Sequence, residues 1–257
     1  MERDALPRPG ADPSLVRYDG SRLLFRGPLR ALDGRHVAFV GGAATRGWGV
    51  AQPYPSLLEA ELGMPCVNFG LRHASAEAFL LDPVVARACR EARLSVVEAM
   101  GAANLSNRLY TVHPRRNDRF LRASGALRAI FPEVDFAEIC FTRHLLTRLH
   151  EADAERFALV REELRIAWEA RMRVLLERIG PRVLLLWPES RWEAVAPLGA
   201  EPLFVTGAMV ETLRPLVREV VRVRDPGTDA AAHREVAAAL LGPMRAGLGE
   251  EGLRASA

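Results

Sequence analysis

Four apolar runs are each followed by small or polar residues of the types that acyl-transfer sites use. Paired glycines free backbone N–H groups to hold an anion, an asparagine amide adds a donor, and a histidine near an aspartate is a candidate general base. Brought together, they predict an oxyanion-binding site with His233, Asn104 and Asp229 in the catalytic roles. The residues are, in chain order, Gly41, Gly42, Ala43 and Thr45, then Gly70, then Gly101 and Asn104, then Asp229 and His233.

Each of these residues also has a structural interpretation. Gly41 and Gly42 are equally well explained by a tight strand-to-helix turn that tolerates no Cβ atom. Thr45 could act as a substitute nucleophile, but a helix N-cap is the better explanation. His233 stands near the start of an alanine-rich stretch, where a surface histidine also fits.

The densest polar cluster is "VHPRRNDRF", residues 112–120. Guanidinium groups bind carboxylate, sulfate or phosphate in a bidentate manner, so His113, Arg115 and Arg116 predict contacts to an anionic substrate. The alternative is an Arg/Asp network that holds this segment against the core. Surface ion pairs of that kind contribute only about 0 to 1 kcal/mol each.

The elements that must position these residues follow from the apolar runs, which show little alternation. That pattern is typical of parallel strands covered on both faces. Helical patterns stand between them, so the sequence predicts an α/β fold with a flavodoxin-like, doubly wound parallel sheet. The predicted strands are residues 37–42, 65–70, 94–101, 182–188, 202–207 and 219–225, and the predicted helices include 54–62, 82–92 and 151–179.

The stretch 102–150 interrupts this rhythm and predicts a helical insertion after the third strand, over the carboxyl edge where ligands bind in open α/β sheets. The predicted organisation is an N-terminal arm (1–34) anchored by Phe25, a single domain (35–247) that contains the insertion, and a flexible tail (248–257).

Composition narrows the function classes. The chain has 257 residues and its basic residues are all arginine. A net charge of +3 over this length does not predict nucleic-acid binding. Three widely spaced cysteines, Cys66, Cys89 and Cys140, lie beside apolar residues, which predicts reduced thiols in the core of a cytoplasmic protein, and they show no zinc spacing. No signal peptide or membrane span is predicted. We expect a small-molecule substrate, no nucleic acid, no metal and no cofactor, and a homo-oligomer stays open.

The chain order of the four blocks resembles the SGNH (GDSL-like) hydrolase superfamily. Its pattern is Gly-Asp-Ser-x-Thr-x-Gly, a glycine, Gly-x-Asn-Asp and Asp-x-x-His. Gly41, Thr45 and Gly47 fit the first block and Gly70 the second. Gly101 with Asn104, and Asp229 with His233, fit the last two blocks loosely. The resemblance implies an SGNH-like core and an acyl-ester hydrolase or acyltransferase.

The departures from that pattern concern the chemistry. Ala43 stands where the family has its nucleophilic serine, and a methyl group cannot attack a carbonyl. Stretches such as "RLLFRGP" and "VHPRRNDRF" also resemble an uncharacterised alphaproteobacterial family, a domain of unknown function. Two hypotheses lead: an SGNH-like enzyme with a non-standard nucleophile acting on an anionic, carbohydrate or lipid substrate, and an inactive ligand-binding or regulatory protein. Transfer of a sulfuryl or phosphoryl group held by the arginines ranks lower, because the sequence has no Walker-type loop.

Overall fold

The computed structural model describes residues 15–189, 198, 199, 201–224 and 229–254. The predicted arm and tail lie partly outside this range, in residues 1–14 and 255–257. A 3-10 helix, Arg214–Leu216, follows α8. The strands and α-helices are β1 (Leu15–Val16), β2 (Phe25–Arg26), β3 (Val37–Gly41), α1 (Ala43–Arg46), α2 (Tyr54–Leu62), β4 (Cys66–Gly70), α3 (Ala76–Leu80), α4 (Pro83–Glu91), β5 (Leu94–Glu98), β6 (Tyr110–His113), β7 (Arg116–Ala123), α5 (Gly125–Ile130), α6 (Thr142–Ala152), α7 (Ala154–Ile179), β8 (Val183–Glu189), α8 (Gly207–Thr212), β9 (Glu219–Arg224) and α9 (Ala230–Arg254).

The central sheet has five parallel strands in the order β4-β3-β5-β8-β9. The first strand of the sheet along the chain, β3, therefore lies between the second and the third, which is the flavodoxin-like order. Gly41 and Gly70 lie opposite each other where β3 and β4 end. The predicted α/β fold class is confirmed.

Helices cover both faces of this sheet, because successive strand residues point to opposite sides. Phe39, Val96 and Leu186 pack in a cluster with residues of α2 and α9. Their neighbours Val40 and Val97 pack in a second cluster with residues of α4 and α7. Four of the strands are consequently buried along most of their length, as the sequence pattern indicated, whereas the edge strand β9 exposes Glu219, Arg222 and Arg224.

The predicted helices form where their caps and apolar stripes place them. The Asp82 side chain accepts hydrogen bonds from the N–H groups of Val84 and Val85 at the start of α4. Asp153 does the same for Arg156 in α7, whose stripe from Phe157 to Leu175 is buried. Three of the predicted helices, α2, α4 and α7, are confirmed.

The predicted strand at 202–207 is wrong. This run forms turns that lead into α8, and Phe204 has φ +64°, outside the β region. Leu203 is nonetheless buried, and its carbonyl accepts the N–H of Ala102. The apolar run is thus a half-buried turn over the end of β5, anchored by Leu203, and periodicity alone cannot distinguish such a turn from a short strand.

The stretch 102–150 is not purely helical. It contains the antiparallel hairpin β6–β7 before α5 and α6. The exposure of β6 alternates, as expected for a strand with one covered face. The domain boundaries stay a prediction, and α9 continues to Arg254 with non-helical backbone at Gly249.

The segment before β3 is fixed to the domain by two side chains. Phe25 is fully buried, as predicted, and packs edge-on against Phe69. The Arg26 guanidinium donates to the carbonyls of Gly47, Val50 and Ala51. These bonds hold the loop between α1 and α2 beside the end of the sheet.

Among the described helices, none combines the length and the apolar character that crossing a bilayer requires.

Candidate functional site

A cavity of about 440 Å³ lies at the carboxyl ends of the central strands. This is the edge at which open α/β sheets bind ligands. Loops that follow different strands, together with α9, form its wall. The predicted site residues that it brings together are Gly42, Ala43, Gly101, Asn104 and His233. Gly41, Thr45 and Gly70 support the cavity from behind and are not part of its wall.

Glu98, the last residue of β5, occupies the turn that the sequence predicted for an oxyanion. Its Oε2 atom accepts the N–H of Gly42 at 2.9 Å, the N–H of Thr45 at 3.3 Å and the Thr45 hydroxyl. The Gly42 N–H group is therefore already bound within the chain. Oε1 has no hydrogen bond with the described residues, and the Glu98 side chain lines the cavity.

Burial raises the pKa of Glu98, and the nearby Glu201 carboxylate acts in the same direction, although the three donors oppose both effects. A carboxyl in such surroundings takes up a proton at higher pH than an exposed one. Glu98 can therefore act as a hydrogen-bond donor or acceptor toward a ligand.

Thr45 links Glu98 to Tyr54. Because the Thr45 hydroxyl donates to Glu98, the Tyr54 hydroxyl must be the donor in its 2.7 Å bond to Thr45 Oγ1. The N-cap residue of α1 is Gly42, so the interpretation of Thr45 as a cap is wrong. Its hydroxyl is fully buried between two polar partners, which explains why a threonine is present without assigning it a nucleophilic role.

His233, in the first turn of α9, has one ring nitrogen bound to the backbone. Its Nδ1 accepts the N–H of Tyr54 at 3.1 Å, and its ring stacks on the Tyr54 ring at 5.9 Å between centroids. Burial lowers the pKa of His233 and the Arg26 charge lowers it further, although the Asp229 carboxylate opposes both effects. The imidazole is therefore held neutral.

This contact determines where the His233 proton lies. A nitrogen that accepts an N–H carries no proton, so the neutral ring is protonated at Nε2. Nε2 makes no hydrogen bond with the described residues, and the side chain lines the cavity. A serine-hydrolase histidine has the opposite tautomer, with Nδ1–H donated to a carboxylate and Nε2 acting as the base. His233 is therefore arranged to donate to a ligand.

Asp229 and Asn104 make structural contacts. Asp229 accepts the N–H of Ala232 in the first turn of α9, as an N-cap residue does. The Asn104 amide donates to the carbonyl of His73 and accepts the Thr142 hydroxyl, so both ends of its side chain are engaged. Asn104 joins the loop after β5 to the loop after β4 and to α6.

The glycines at the strand ends permit close approaches. A Cβ atom on Gly41 would overlap the side chains of Thr45 and Glu98, and one on Gly70 would overlap the backbone of Arg46. A Cβ atom on Gly101 would lie 2.9 Å from the nitrogen of Leu203. Each glycine thus allows a second segment to pack directly on a strand end.

The remaining wall of the cavity is mostly apolar. It carries two carboxyl groups, Glu98 and Glu201, and one guanidinium group, Arg143, whose Nη1 lies 3.7 Å from Glu201 Oε1. The apolar part is formed by Ala43, Ala44, Ala74, Met100, Ala103, Leu186, Pro188, Pro202, Leu203, Ala232 and Val236. Carboxyl groups thus outnumber guanidinium groups around the polar part.

The predicted anion-binding cluster lies elsewhere. His113, Arg115 and Arg116 line a separate groove of about 850 Å³ beside the β6–β7 hairpin. The two concavities share a wall. In α1, Ala43 and Ala44 line the cavity, whereas Arg46 lines the groove.

Two residues of the site were missed in the sequence, namely Glu98 and Tyr54. Glu98 had a usable signal, because it is the one acidic residue in the run "LSVVEAMG" and a charge in a buried strand requires a partner. Tyr54 had none, since it stands in an ordinary amphipathic helix and meets His233 only in the fold.

In the described part of the chain, no three His, Cys, Asp or Glu side chains are grouped in a way that could hold a metal ion. Cys66 and Cys89 are buried, and Cys140 is exposed, which corrects the expectation that all three lie in the core.

The chain belongs to the family described as "Domain of unknown function (DUF6473)", whose model matches residues 1–254. The comparison with curated proteins gives no match. Among solved structures, it is similar to the lipase Lip_vut3 from a goat rumen metagenome. The identity is 12% and the TM-score 0.44, over 82% of this chain and 96% of that chain. A likeness at this level carries no argument about activity.

Proposed function

We propose that this protein binds an uncharged, mainly apolar small molecule in the cavity at the strand ends and forms no acyl-enzyme. The observation that carries the proposal is the Tyr54 N–H bond to His233 Nδ1, which leaves Nε2–H as a donor toward the cavity. A ligand carbonyl or hydroxyl oxygen would accept this bond. The apolar part of the ligand would lie against the alanine, leucine and methionine side chains of the cavity wall.

The charges around the cavity favour an uncharged ligand. Two carboxyl groups and one guanidinium group line it, and the guanidinium already faces Glu201. An anionic head group would meet the buried Glu98 carboxyl, and the two negative charges would repel strongly unless Glu98 took up a proton. The anionic substrate expected from the sequence is therefore not proposed for this cavity.

The groups that an acyl-enzyme would need are engaged or absent. Position 43 is alanine, the Gly42 N–H is bound to Glu98, and the Asn104 amide is bound to His73 and Thr142. Neither a nucleophile nor an oxyanion hole is available at this turn without rearrangement. These contacts support the ligand-binding hypothesis over turnover.

Octanamide and 1-octanol are expected to bind, whereas octanoate is expected to bind at least tenfold more weakly. Isothermal titration calorimetry and the melting temperature measure this, because a ligand that binds the folded state raises the melting temperature. Ala43→Leu should abolish binding, since Ala43 is exposed in the cavity wall at the first position of α1. Ala154→Leu is the matched control, an exposed alanine at the first position of α7.

Equal binding by the Ala43→Leu and Ala154→Leu variants would contradict the proposed location. Preference for octanoate would contradict the proposed ligand class.

An SGNH-like acyl-ester hydrolase or acyltransferase with a non-standard nucleophile is the second candidate. The observation that favours it is that a buried carboxyl with a raised pKa, Glu98, and an imidazole, His233, line the same cavity. Such a pair can exchange protons with a substrate. Ester turnover by the unmodified protein that is lost in Glu98→Gln would support this candidate.

Ala43→Ser tests whether only the nucleophile is missing. We expect no gain of esterase activity and no labelling by a fluorophosphonate, because His233 presents Nε2–H, and not a base, to the new hydroxyl. Hydrolysis of p-nitrophenyl esters and mass spectrometry after exposure to the probe measure the outcome. A labelled serine at position 43, with labelling lost in Ala43→Ser/His233→Ala, would show that the triad geometry persists and would overturn the proposed tautomer.

A further inference from the structure

A groove on the other side of α1 concentrates positive charge. Seven arginines and His113 line it, in a volume of about 850 Å³. We call it the arginine groove and define it by Arg17, Arg22, Arg72 and Arg115, which come from three separate segments of the chain.

The four defining guanidinium groups have no acidic partner among the described residues. Arg72 contacts the Trp48 ring, with its Cζ atom 4.3 Å from the ring centroid, and this contact leaves its N–H donors available. Elsewhere in the described chain, arginines such as Arg108 and Arg156 pair with carboxylates. No aspartate or glutamate is among the described residues that line the groove.

The tip of the β6–β7 hairpin is shaped to present its arginines. His113 Nδ1 accepts the N–H groups of Arg115 and Arg116, each at 3.2 Å. These bonds fix the turn and place the Arg115 side chain over the groove. Arg72 approaches from the loop after β4, and Arg17 and Arg22 approach from the segment between β1 and β2.

Several guanidinium groups around one concave surface match an anion with several charges and many acceptor oxygens. A single carboxylate would neutralise only one of them. Apolar side chains lie between the arginines, and two of them, Leu24 and Leu121, are 41% and 53% exposed. The ligand should therefore combine a highly charged head with an apolar or planar body.

We infer that the arginine groove binds a ligand that carries a phosphate or diphosphate group. This site is distinct from the apolar cavity and does not depend on the function proposed for it. The volume is that of a small-molecule site, and the four defining guanidinium groups attract anions to it. The phosphate can belong to a soluble ester or to a lipid head group.

The test is titration calorimetry of the whole chain with inorganic pyrophosphate and with octyl phosphate, beside sedimentation with phosphatidylcholine vesicles that contain phosphatidic acid. We expect binding of at least one probe, weakened at least tenfold by Arg17→Gln/Arg115→Gln. The control is Arg87→Gln/Arg161→Gln, which removes the same charge from exposed helix positions in α4 and α7. Its affinity should stay within twofold of the unmodified protein.

Binding of the soluble probes identifies a free phosphate ligand, and binding of the vesicles alone identifies a lipid head group. Either result, with the variant pattern above, supports the inference. The inference is overturned if no probe binds, or if the two double variants weaken binding equally. Tighter binding of a DNA duplex than of every phosphate probe, equally weakened in both double variants, would also overturn it, because it would indicate general charge attraction.

Discussion

Glu98→Ala is expected to lower the free energy of unfolding by about 2 to 4 kcal/mol. The substitution leaves the buried N–H groups of Gly42 and Thr45 without an acceptor, and each unsatisfied buried donor costs about 1 to 3 kcal/mol. Water that enters from the adjacent cavity keeps the total below the sum of the separate costs. Urea denaturation followed by circular dichroism measures the change.

Glu98→Gln is the matched control. Its amide oxygen can accept the same three hydrogen bonds, so we expect a loss of no more than about 1 kcal/mol at acidic pH. A comparable loss in both variants would contradict the role assigned to these bonds.

The pH dependence of the free energy of unfolding should also differ between the unmodified protein and Glu98→Gln. The folded-state pKa of Glu98 is raised, so the folded chain binds more protons than the unfolded chain above the ordinary carboxyl range. The contribution of Glu98 to stability is fully present below that range and is lost as the pH rises through the folded pKa. Glu98→Gln lacks this loss, so its stability should improve relative to the unmodified protein as the pH rises. Parallel pH profiles would contradict the assignment.

Gly70→Ala is expected to destabilise the protein by about 3 kcal/mol, the upper part of the range for overpacking. The added methyl group would overlap the backbone of Arg46 and the carbonyl carbon of Thr45. Backbone atoms cannot rotate away as a flexible side chain can, so α1 must move off the end of β4. Denaturant unfolding measures the loss, and tryptophan fluorescence reports any change around Trp48.

Gly125→Ala provides the comparison. Gly125 is the first residue of α5, and a Cβ atom there would meet no atom within 4 Å. Its effect should stay within about 1 kcal/mol, with stabilisation the expected direction. If Gly70→Ala proved as mild as Gly125→Ala, the close packing of α1 on β4 would be wrong.

The central sheet could be predicted from sequence because its strands are buried on both faces. A run such as "VAFVGG" has no alternation and ends at glycine, which leaves few other interpretations. The run at 202–207 is similarly apolar and also ends at glycine, yet it forms a half-buried turn. The hairpin β6–β7 was hidden for a related reason, because its polar residues dominated the pattern of the segment.

The meeting of the strand-end loops at one cavity could be predicted from sequence, whereas the contacts of their side chains could not. Ala43 lines this cavity and stands where the resemblance to the SGNH pattern places a serine. The tautomer of His233 depends on the N–H of Tyr54, which is 179 positions away in the chain. Whether the Gly42 N–H group is available to a ligand depends on Glu98, which accepts it and is 56 positions away in the chain. Contacts of this kind arise from tertiary packing, and no local spacing encodes them.

The four residues of α1 stand between two concavities, with Ala43 in one wall and Arg46 in the other. Any occupant that displaces this short helix changes the shape of both spaces. Thermodynamic reciprocity then requires that the two occupants alter each other's affinity by the same factor. If an occupant on one side shifts α1, the dissociation constant measured there depends on the occupancy of the other side.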